Sequence, residues 1–250
     1  MNKFNSVAII TVRNSSSRLP NKAIMSITEK FRSIDIVIQR AKETHLPLII
    51  ATSTDSSDDI FMDIANDNKI ECFRGSLLNK IKRWYDCFNF FNIQYALLLD
   101  GDDLCHDFKI GKKAISKLIQ SECDIIINPP EIVTGFFTFA ISKKGIEKLY
   151  SVAKEESTNT DVITKFIEKA QLNIKILELD AYQINKNIRL TLDYIEDLDF
   201  FRKLYQNIKI NEDGKNVIDF LLKNSDISNT NFFRESDYLK NQEKFNEGVK

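Results

Sequence analysis

Glycine and proline are both scarce in this sequence, which has 7 and 4 of them in 250 residues. This scarcity disfavours a loop-rich all-β protein and favours helices that are joined by tight polar turns. Long apolar runs are also missing, because no stretch approaches the ~18 consecutive apolar residues of a membrane-spanning helix. We therefore expect a globular protein that contains helices and does not insert into a membrane.

The sequence has no excess of positive charge and no metal-binding cysteine pattern. Lys and Arg number 35 and Asp and Glu number 36, so the net charge is −1. The broad basic surface that nucleic-acid binding requires is thus missing, and no nucleic-acid partner is expected. The 4 cysteines form no CxxC pair and no zinc spacing with the 2 histidines. Free thiols, and an N-terminus unlike a secretion signal, lead us to expect a cytoplasmic protein.

What is present is a regular alternation of short apolar runs and amphipathic stretches, which is typical of β-loop-α repeats. Strands are predicted at residues 7–12, 47–52, 70–73, 95–99, 124–127, 134–141, 172–179 and 190–194. Helices are predicted at residues 33–44, 59–68, 77–91, 108–120, 143–153, 161–169 and 196–205, and within 208–224. This order predicts a three-layer α/β/α fold with a mixed, mostly parallel sheet. We expect one domain over residues 1–250, in which 206–250 form a helical C-terminal extension.

The loop after the first predicted strand carries the first candidate site. Its sequence is RNSSSRLPNK, and its chemically distinctive side chains are those of Arg13, Ser17, Arg18 and Lys22. Backbone amides and cations at the carboxyl end of a strand are typical of a phosphate site. The loop matches neither GxxxxGK[ST] nor GxGxxG. An ordinary strand-to-helix loop with solvated charges is the alternative interpretation.

Polar side chains also follow the other predicted strands. They are Thr52, Ser53, Arg74, Ser76, Asp100, Asp102 and Asp103. Because the carboxyl ends of parallel strands meet at one edge of a sheet, we expect these residues to lie near the first loop. Crowded carboxylates favour a hard divalent cation such as Mg²⁺, although Asp-Gly alone is a common turn signal.

Asp193, at the end of the last predicted strand, is a second candidate metal ligand. A phosphate loop beside two acidic residues indicates chemistry at a nucleoside triphosphate, where cations and a metal ion neutralise the charge of the phosphates. By contrast, Glu196 and Asp197 begin a predicted helix, where acidic side chains suit the helix dipole.

Five motifs, taken in order, resemble the sugar-acid cytidylyltransferases. RNSSSRLPNK is similar to the R-x-x-S-x-R-L-P-x-K signature of this family, which includes 3-deoxy-manno-octulosonate (Kdo) cytidylyltransferase and CMP-N-acetylneuraminate synthetase. The other four motifs most resemble the branch called spore coat polysaccharide biosynthesis protein F. They are ATSTDSSDD, CFRGSLLNKIKRWYDC, LLLDGDDL and RLTLDYIEDLDFFRKLY. The tail NFFRESDYLKN is also similar to that branch.

The resemblance implies a glycosyltransferase-A-like domain, usually a homodimer, with no cofactor besides Mg²⁺. Such an enzyme couples CTP to an acidic sugar of the 2-keto-3-deoxy type and releases pyrophosphate, and the CMP-sugar feeds surface polysaccharide synthesis. The implied triphosphate ligands are Arg13, Ser17, Arg18 and Lys22, and the implied nucleoside pocket is Thr52, Ser53, Arg74 and Ser76. The implied Mg²⁺ ligands are Asp102 and Asp193, and the implied catalytic residues are Arg13, Lys22 and Asp102.

The sequence departs from the family pattern at several positions. Asn21 replaces a Gly, Asn79 replaces a common acidic residue, Asp103 replaces a Pro, and NTDVITKF stands in place of a Glu-His-x-Thr stretch. These departures leave the acceptor sugar open. One alternative is a glycosyltransferase-A-type enzyme with a nucleotide-sugar donor, for which Asp100-Gly101-Asp102 supplies a D-x-D motif. Another is a homologue that binds a nucleotide without catalysis.

Overall fold

The computed structural model describes residues 4–248, and a seven-stranded sheet runs through the middle of this part of the chain. The strands are β1 (Ser6–Thr11), β2 (Leu48–Ser53), β3 (Glu71–Gly75), β4 (Tyr95–Asp100), β5 (Ile125–Ile127), β6 (Phe139–Ser142) and β7 (Ile174–Ile176). Their order across the sheet is β3-β2-β1-β4-β6-β5-β7. Only β6 runs antiparallel to its neighbours among these strands. The predicted mixed, mostly parallel sheet is therefore confirmed.

Helices cover both faces of the sheet. They are α1 (Ser33–Lys42), α2 (Ile60–Asn68), α3 (Lys80–Phe91), α4 (Phe108–Ser121), α5 (Lys143–Ser151), α6 (Thr164–Lys169), α7 (Ile195–Asn207), α8 (Gly214–Lys223), α9 (Ser225–Ser228) and α10 (Glu235–Gly248). Alternate side chains of a strand point to opposite faces. Ala8 and Ile10 of β1 accordingly pack in one apolar cluster with α1, α2, α4, α7 and α8. Val7 and Ile9 pack in a second cluster with α3, α5 and α6, which gives the expected three layers.

The helix α3 begins later than the sequence predicts, because Asn79 caps it. The Asn79 side chain accepts a hydrogen bond from the backbone N–H of Lys82 at 2.8 Å, and asparagine is a favoured N-cap residue. Its amide group also donates to the carbonyl oxygens of Ala153 and Glu155. Asn79 is one of the departures from the family pattern, and here it joins α3 to the segment after α5.

The prediction of a strand at residues 190–194 is wrong. This segment is extended but lies outside the sheet, and its backbone N–H groups bond to loops. Leu190 donates to the carbonyl of Thr134 and Leu192 donates to the carbonyl of Asp102, both at 2.9 Å. The alternating apolar residues that predicted a strand are buried by this packing instead: Leu190 and Leu192 are both fully buried.

The predicted strand at residues 134–141 is mostly a turn, and its regular part begins only at Phe139. Gly135 has a φ of 90°, which favours glycine. A Cβ at this position would come within 2.3 Å of the Leu190 carbonyl oxygen. Close packing against the segment at residues 190–194 therefore draws this turn away from the sheet.

The predicted C-terminal extension over residues 206–250 contains α8, α9 and α10. α8 buries Val217 and Leu221 in the cluster shared with α4 and α7. No helix in the described residues 4–248 has both the length and the apolar character needed to cross a membrane.

Candidate active site

A cleft of about 1110 Å³ opens at the carboxyl ends of β1 and β4. This is the edge at which parallel α/β sheets bind ligands. Six of the sequence-predicted site residues line it: Arg13, Ser17, Arg18, Lys22, Asp102 and Asp193. Folding thus brings together one loop near the N-terminus, one strand end at the middle of the chain and one segment near residue 193.

The centre of the cleft is an ion-pair network around Lys22. The Lys22 Nζ lies 2.5 Å from Asp102 Oδ2 and 2.9 Å from Asp193 Oδ1. Arg18 donates to the same Asp193 oxygen at 2.5 Å, and Arg189 donates to the other oxygen at 3.1 Å. The ammonium of Lys22 therefore stands between the two carboxylates that the sequence predicted as metal ligands.

Charge interactions within this network hold Lys22 and Asp193 in their ionised forms. Burial opposes the charge of Lys22, but Asp102 and Asp193 outweigh it and raise the pKa of Lys22 above its ordinary value. Burial likewise opposes the charge of Asp193, but Lys22 and Arg18 outweigh it and lower the pKa of Asp193. The two opposite charges stabilise each other in a place from which water is largely excluded.

A cluster of three carboxylates beside this network is suited to a divalent cation. Oxygen atoms of Asp100, Asp102 and Asp103 all lie within 4.8 Å of one another. Burial, followed by repulsion from neighbouring carboxylates, raises the pKa of Asp103 well above its ordinary value. A bound divalent cation would offset that repulsion, and carboxylate oxygens are the ligands that Mg²⁺ prefers. The donor set therefore fits Mg²⁺.

The loop after β1 is held in place by the loop after β2. The buried Asp58 accepts hydrogen bonds from the Asn14 backbone N–H at 2.7 Å and from the Ser53 hydroxyl at 2.5 Å. At the other end of the loop, Ser33 donates to the carbonyl of Lys22. Asn21 has a φ of 59°, in the left-handed region that glycine and asparagine tolerate. Asn21 therefore adopts a backbone conformation that the family's Gly could also adopt without strain.

The four residues predicted for the nucleoside pocket do not line the cleft in the described part of the chain. Thr52 and Ser53 are fully buried. Arg74 donates to the Ser53 carbonyl at 2.9 Å and pairs with Asp59, and the Ser76 hydroxyl accepts from the Asn79 N–H. The strand order places β2 and β3 successively farther from β4, and a role of these residues in nucleoside binding stays a prediction. They stabilise the loops behind the site.

Sequence reasoning missed Arg83, which lines the cleft from α3. Its side chain is almost fully buried, its NH1 donates to the Ser76 carbonyl at 2.7 Å, and its Nε has no partner within residues 4–248. Burial and the nearby Arg13 lower the pKa of Arg83 to about 10. Arg13 donates to the carbonyl of Leu77, the residue that follows Ser76, at 2.5 Å. Two cations therefore stand side by side on this wall.

Comparison with known proteins identifies the family of this chain. A family model described as "Cytidylyltransferase" matches residues 7–218. A protein of Methanocaldococcus jannaschii named as uncharacterised is 27% identical over 229 residues, which are 90% of this chain and 93% of that protein.

Two solved structures are similar over most of the chain. A cytidylyltransferase from Leptospira borgpetersenii serovar Hardjo-bovis superimposes with a TM-score of 0.82 and 21% identity, covering 90% of this chain and 97% of that one. A CMP:2-keto-3-deoxy-manno-octonic acid synthetase complexed with CTP superimposes with a TM-score of 0.63 and 13% identity, covering 81% and 98%. Since the family model spans most of the sequence, this chain belongs to the cytidylyltransferase family and is a nucleotidyltransferase.

Proposed function

We propose that the protein is a Mg²⁺-dependent cytidylyltransferase that couples CTP to an acidic sugar of the 2-keto-3-deoxy type. The products are a CMP-sugar for surface polysaccharide synthesis and pyrophosphate. The observation that carries this proposal is the convergence of Arg18 and Lys22 with Asp102 and Asp193 in one cleft. The same proposal places the protein in the cytoplasm, as a homodimer, and in the spore coat F branch of the family.

The triphosphate of CTP is assigned to the loop after β1. Arg13, Ser17, Arg18 and Lys22 all line the cleft there, and guanidinium and ammonium groups bind phosphate oxygens. In this structure, Arg18 and Lys22 are paired with Asp193. Binding of CTP therefore exchanges carboxylate partners for phosphate partners at these two cations.

The metal ion is assigned to Asp102 and Asp193, with Asp100 and Asp103 adjacent. When bound, Mg²⁺ supplies positive charge to the triphosphate and lowers the pKa of a nearby hydroxyl group. The hydroxyl oxygen of the sugar forms a bond to the α-phosphorus, the bond from that phosphorus to the pyrophosphate oxygen breaks, and the hydroxyl proton is released. Lys22 and Arg13 stabilise the negative charge that develops on the phosphates.

The departures from the family pattern do not argue for an inactive homologue. Asn21 keeps the left-handed backbone that a Gly would adopt, and Asn79 caps α3 and joins it to the segment after α5. Asp103 adds a carboxylate beside Asp102. These three substitutions are thus compatible with catalysis.

Pyrophosphate release tests the proposal. The protein is incubated with Mg²⁺, a mixture of 2-keto sugar acids and one triphosphate at a time, namely CTP, UTP, GTP or ATP. We expect release with CTP and an acid, and none when either is omitted. Release with another triphosphate alone contradicts the assignment of the base, and transfer from a nucleotide-sugar without pyrophosphate release contradicts the reaction class. Binding of CTP without any release would favour a non-catalytic protein.

A further inference from the structure

The helix α10 lies beyond the part of the chain that matches the family, which ends at residue 218, yet it forms one side of the cleft. Its cleft-lining residues, called here the α10 wall, are Tyr238, Asn241, Gln242, Lys244 and Phe245. The remaining cleft residues come almost entirely from the matched region. The α10 wall is therefore a side of the cleft that the C-terminal helix supplies, apart from the loop after β1.

The first turn of α10 is tied to the ion-pair network. Glu235 accepts from Arg189 at 3.0 Å and from the Thr134 hydroxyl at 2.8 Å. The fully buried Arg189 also donates to Asp193 and Asp197. One arginine thus fixes both a candidate metal ligand and the start of α10, so the α10 wall has a defined position relative to the reacting atoms.

Tyr238 presents a free hydroxyl group on this wall. The Arg189 guanidinium lies 4.8 Å from the centre of its ring and holds the ring in place. Within residues 4–248 the hydroxyl has no hydrogen-bond partner, and the side chain lines the cleft. Burial, followed by the charges of Asp103 and Asp193, raises the pKa of Tyr238, so its hydroxyl stays protonated and can donate.

The chemistry of the α10 wall differs from that of the phosphate loop. Asn241 and Gln242 carry neutral amides, and Thr138 adds a hydroxyl from elsewhere in the cleft. Neutral donors and acceptors beside an aromatic ring suit a ligand with several hydroxyl groups. Among the five residues of the α10 wall, Lys244 is the one cation, whereas the loop after β1 carries Arg13, Arg18 and Lys22.

We propose that the α10 wall is the acceptor-recognition surface, on which the Tyr238 hydroxyl and the Gln242 amide bind hydroxyl groups of the sugar. This inference rests on the proposed function, because it assumes a sugar acceptor. It assigns acceptor choice to the C-terminal helix and leaves CTP binding to the loop after β1.

Steady-state kinetics with two variants and two matched controls tests the inference. Tyr238→Phe keeps the ring on Arg189 and removes only the hydroxyl, and Gln242→Ala removes the amide. The controls are Lys240→Ala and Glu243→Ala, which change exposed side chains of the same helix outside the cleft lining. We expect the KM for the acceptor to rise roughly tenfold in each variant, as for loss of one hydrogen bond. The Kd for CTP should stay within about twofold of the wild-type value, and both controls should match the wild-type protein.

An unchanged acceptor KM in both variants overturns the inference. If the variants also lose CTP affinity and thermal stability, the two side chains have only a structural role, and the inference is overturned as well. If the wild-type protein releases no pyrophosphate with any acceptor, the proposed function fails and hydrogen exchange decides the inference separately. CTP and Mg²⁺ alone should slow exchange in residues 13–22. Further addition of Kdo should slow exchange in α10, and no added protection of α10 overturns the inference.

Discussion

Replacement of Asp193 by Asn removes one negative charge from the most heavily bonded carboxylate of the cleft. This side chain is 1% exposed and accepts from Arg18, Lys22 and Arg189. Lys22 retains Asp102, whereas Arg18 loses its only ion pair in the described residues. Removing one partner from a buried pair costs about 3–5 kcal/mol, and we expect about 3 kcal/mol because Asn still accepts a hydrogen bond. For a domain of this size the melting temperature should fall by roughly 6–12 °C.

The same change should move nucleotide binding and turnover in opposite directions. Asp193 accepts hydrogen bonds from Arg18 and Lys22, so under the proposed function it competes with phosphate for them. Asp193→Asn frees Arg18 and leaves Lys22 with Asp102 alone, so CTP should bind several-fold more tightly when Mg²⁺ is absent. Pyrophosphate release with Mg²⁺ should fall by about 10²–10³-fold, because a group that places charge in the transition state is lost. If Asp193 had only a structural role, the substitution would weaken both CTP binding and pyrophosphate release.

The assays are calorimetric titration of CTP in the presence of EDTA, thermal unfolding and Mg²⁺-dependent pyrophosphate release. Asp124→Asn is the matched control, because Asp124 is also 1% exposed and pairs with Lys148 at 2.6 Å outside the cleft lining. The control should lose stability without changing CTP affinity or turnover. Turnover of Asp193→Asn within about threefold of wild type refutes the reasoning, since the expected loss is at least 10²-fold.

Three further changes test the supports of the site. Asp58→Asn weakens the hydrogen bonds to Asn14 and Ser53. We expect the free energy of unfolding in urea to fall by about 1–3 kcal/mol, and calorimetry to show weaker CTP binding. Full CTP affinity would contradict the support role. Arg74→Ala should leave the Kd for CTP unchanged, and a tenfold rise would restore a direct role for Arg74. Burial lowers the pKa of His106 to about 3, so below its ordinary pKa of 6.5 only the unfolded chain takes up the proton. Stability should therefore fall by about 2 kcal/mol between pH 7 and pH 5 in urea unfolding, and His106→Phe should remove this dependence.

The sequence by itself determined the alternation of strands and helices and the place of the site. The apolar run of β1 is continuous, and its strand is buried on both faces. Continuous apolar strands that alternate with helices are typical of a parallel sheet. The carboxyl ends of such strands meet at one edge. The pattern of the sequence is therefore enough to place Arg18, Lys22 and Asp102 in one cleft.

Tertiary structure alone decided which residues reach that cleft from a distance. The alternating residues at 190–194 are equally compatible with a strand and with packing against Gly135, and only the close approach to that turn selects the second. The strand order moves Arg74 behind the site, and the fold brings the buried Arg83 and the helical Tyr238 into it. The periodicity of apolar residues indicates which face of a helix or strand is buried. It does not indicate whether that face packs against the core or lines a ligand site.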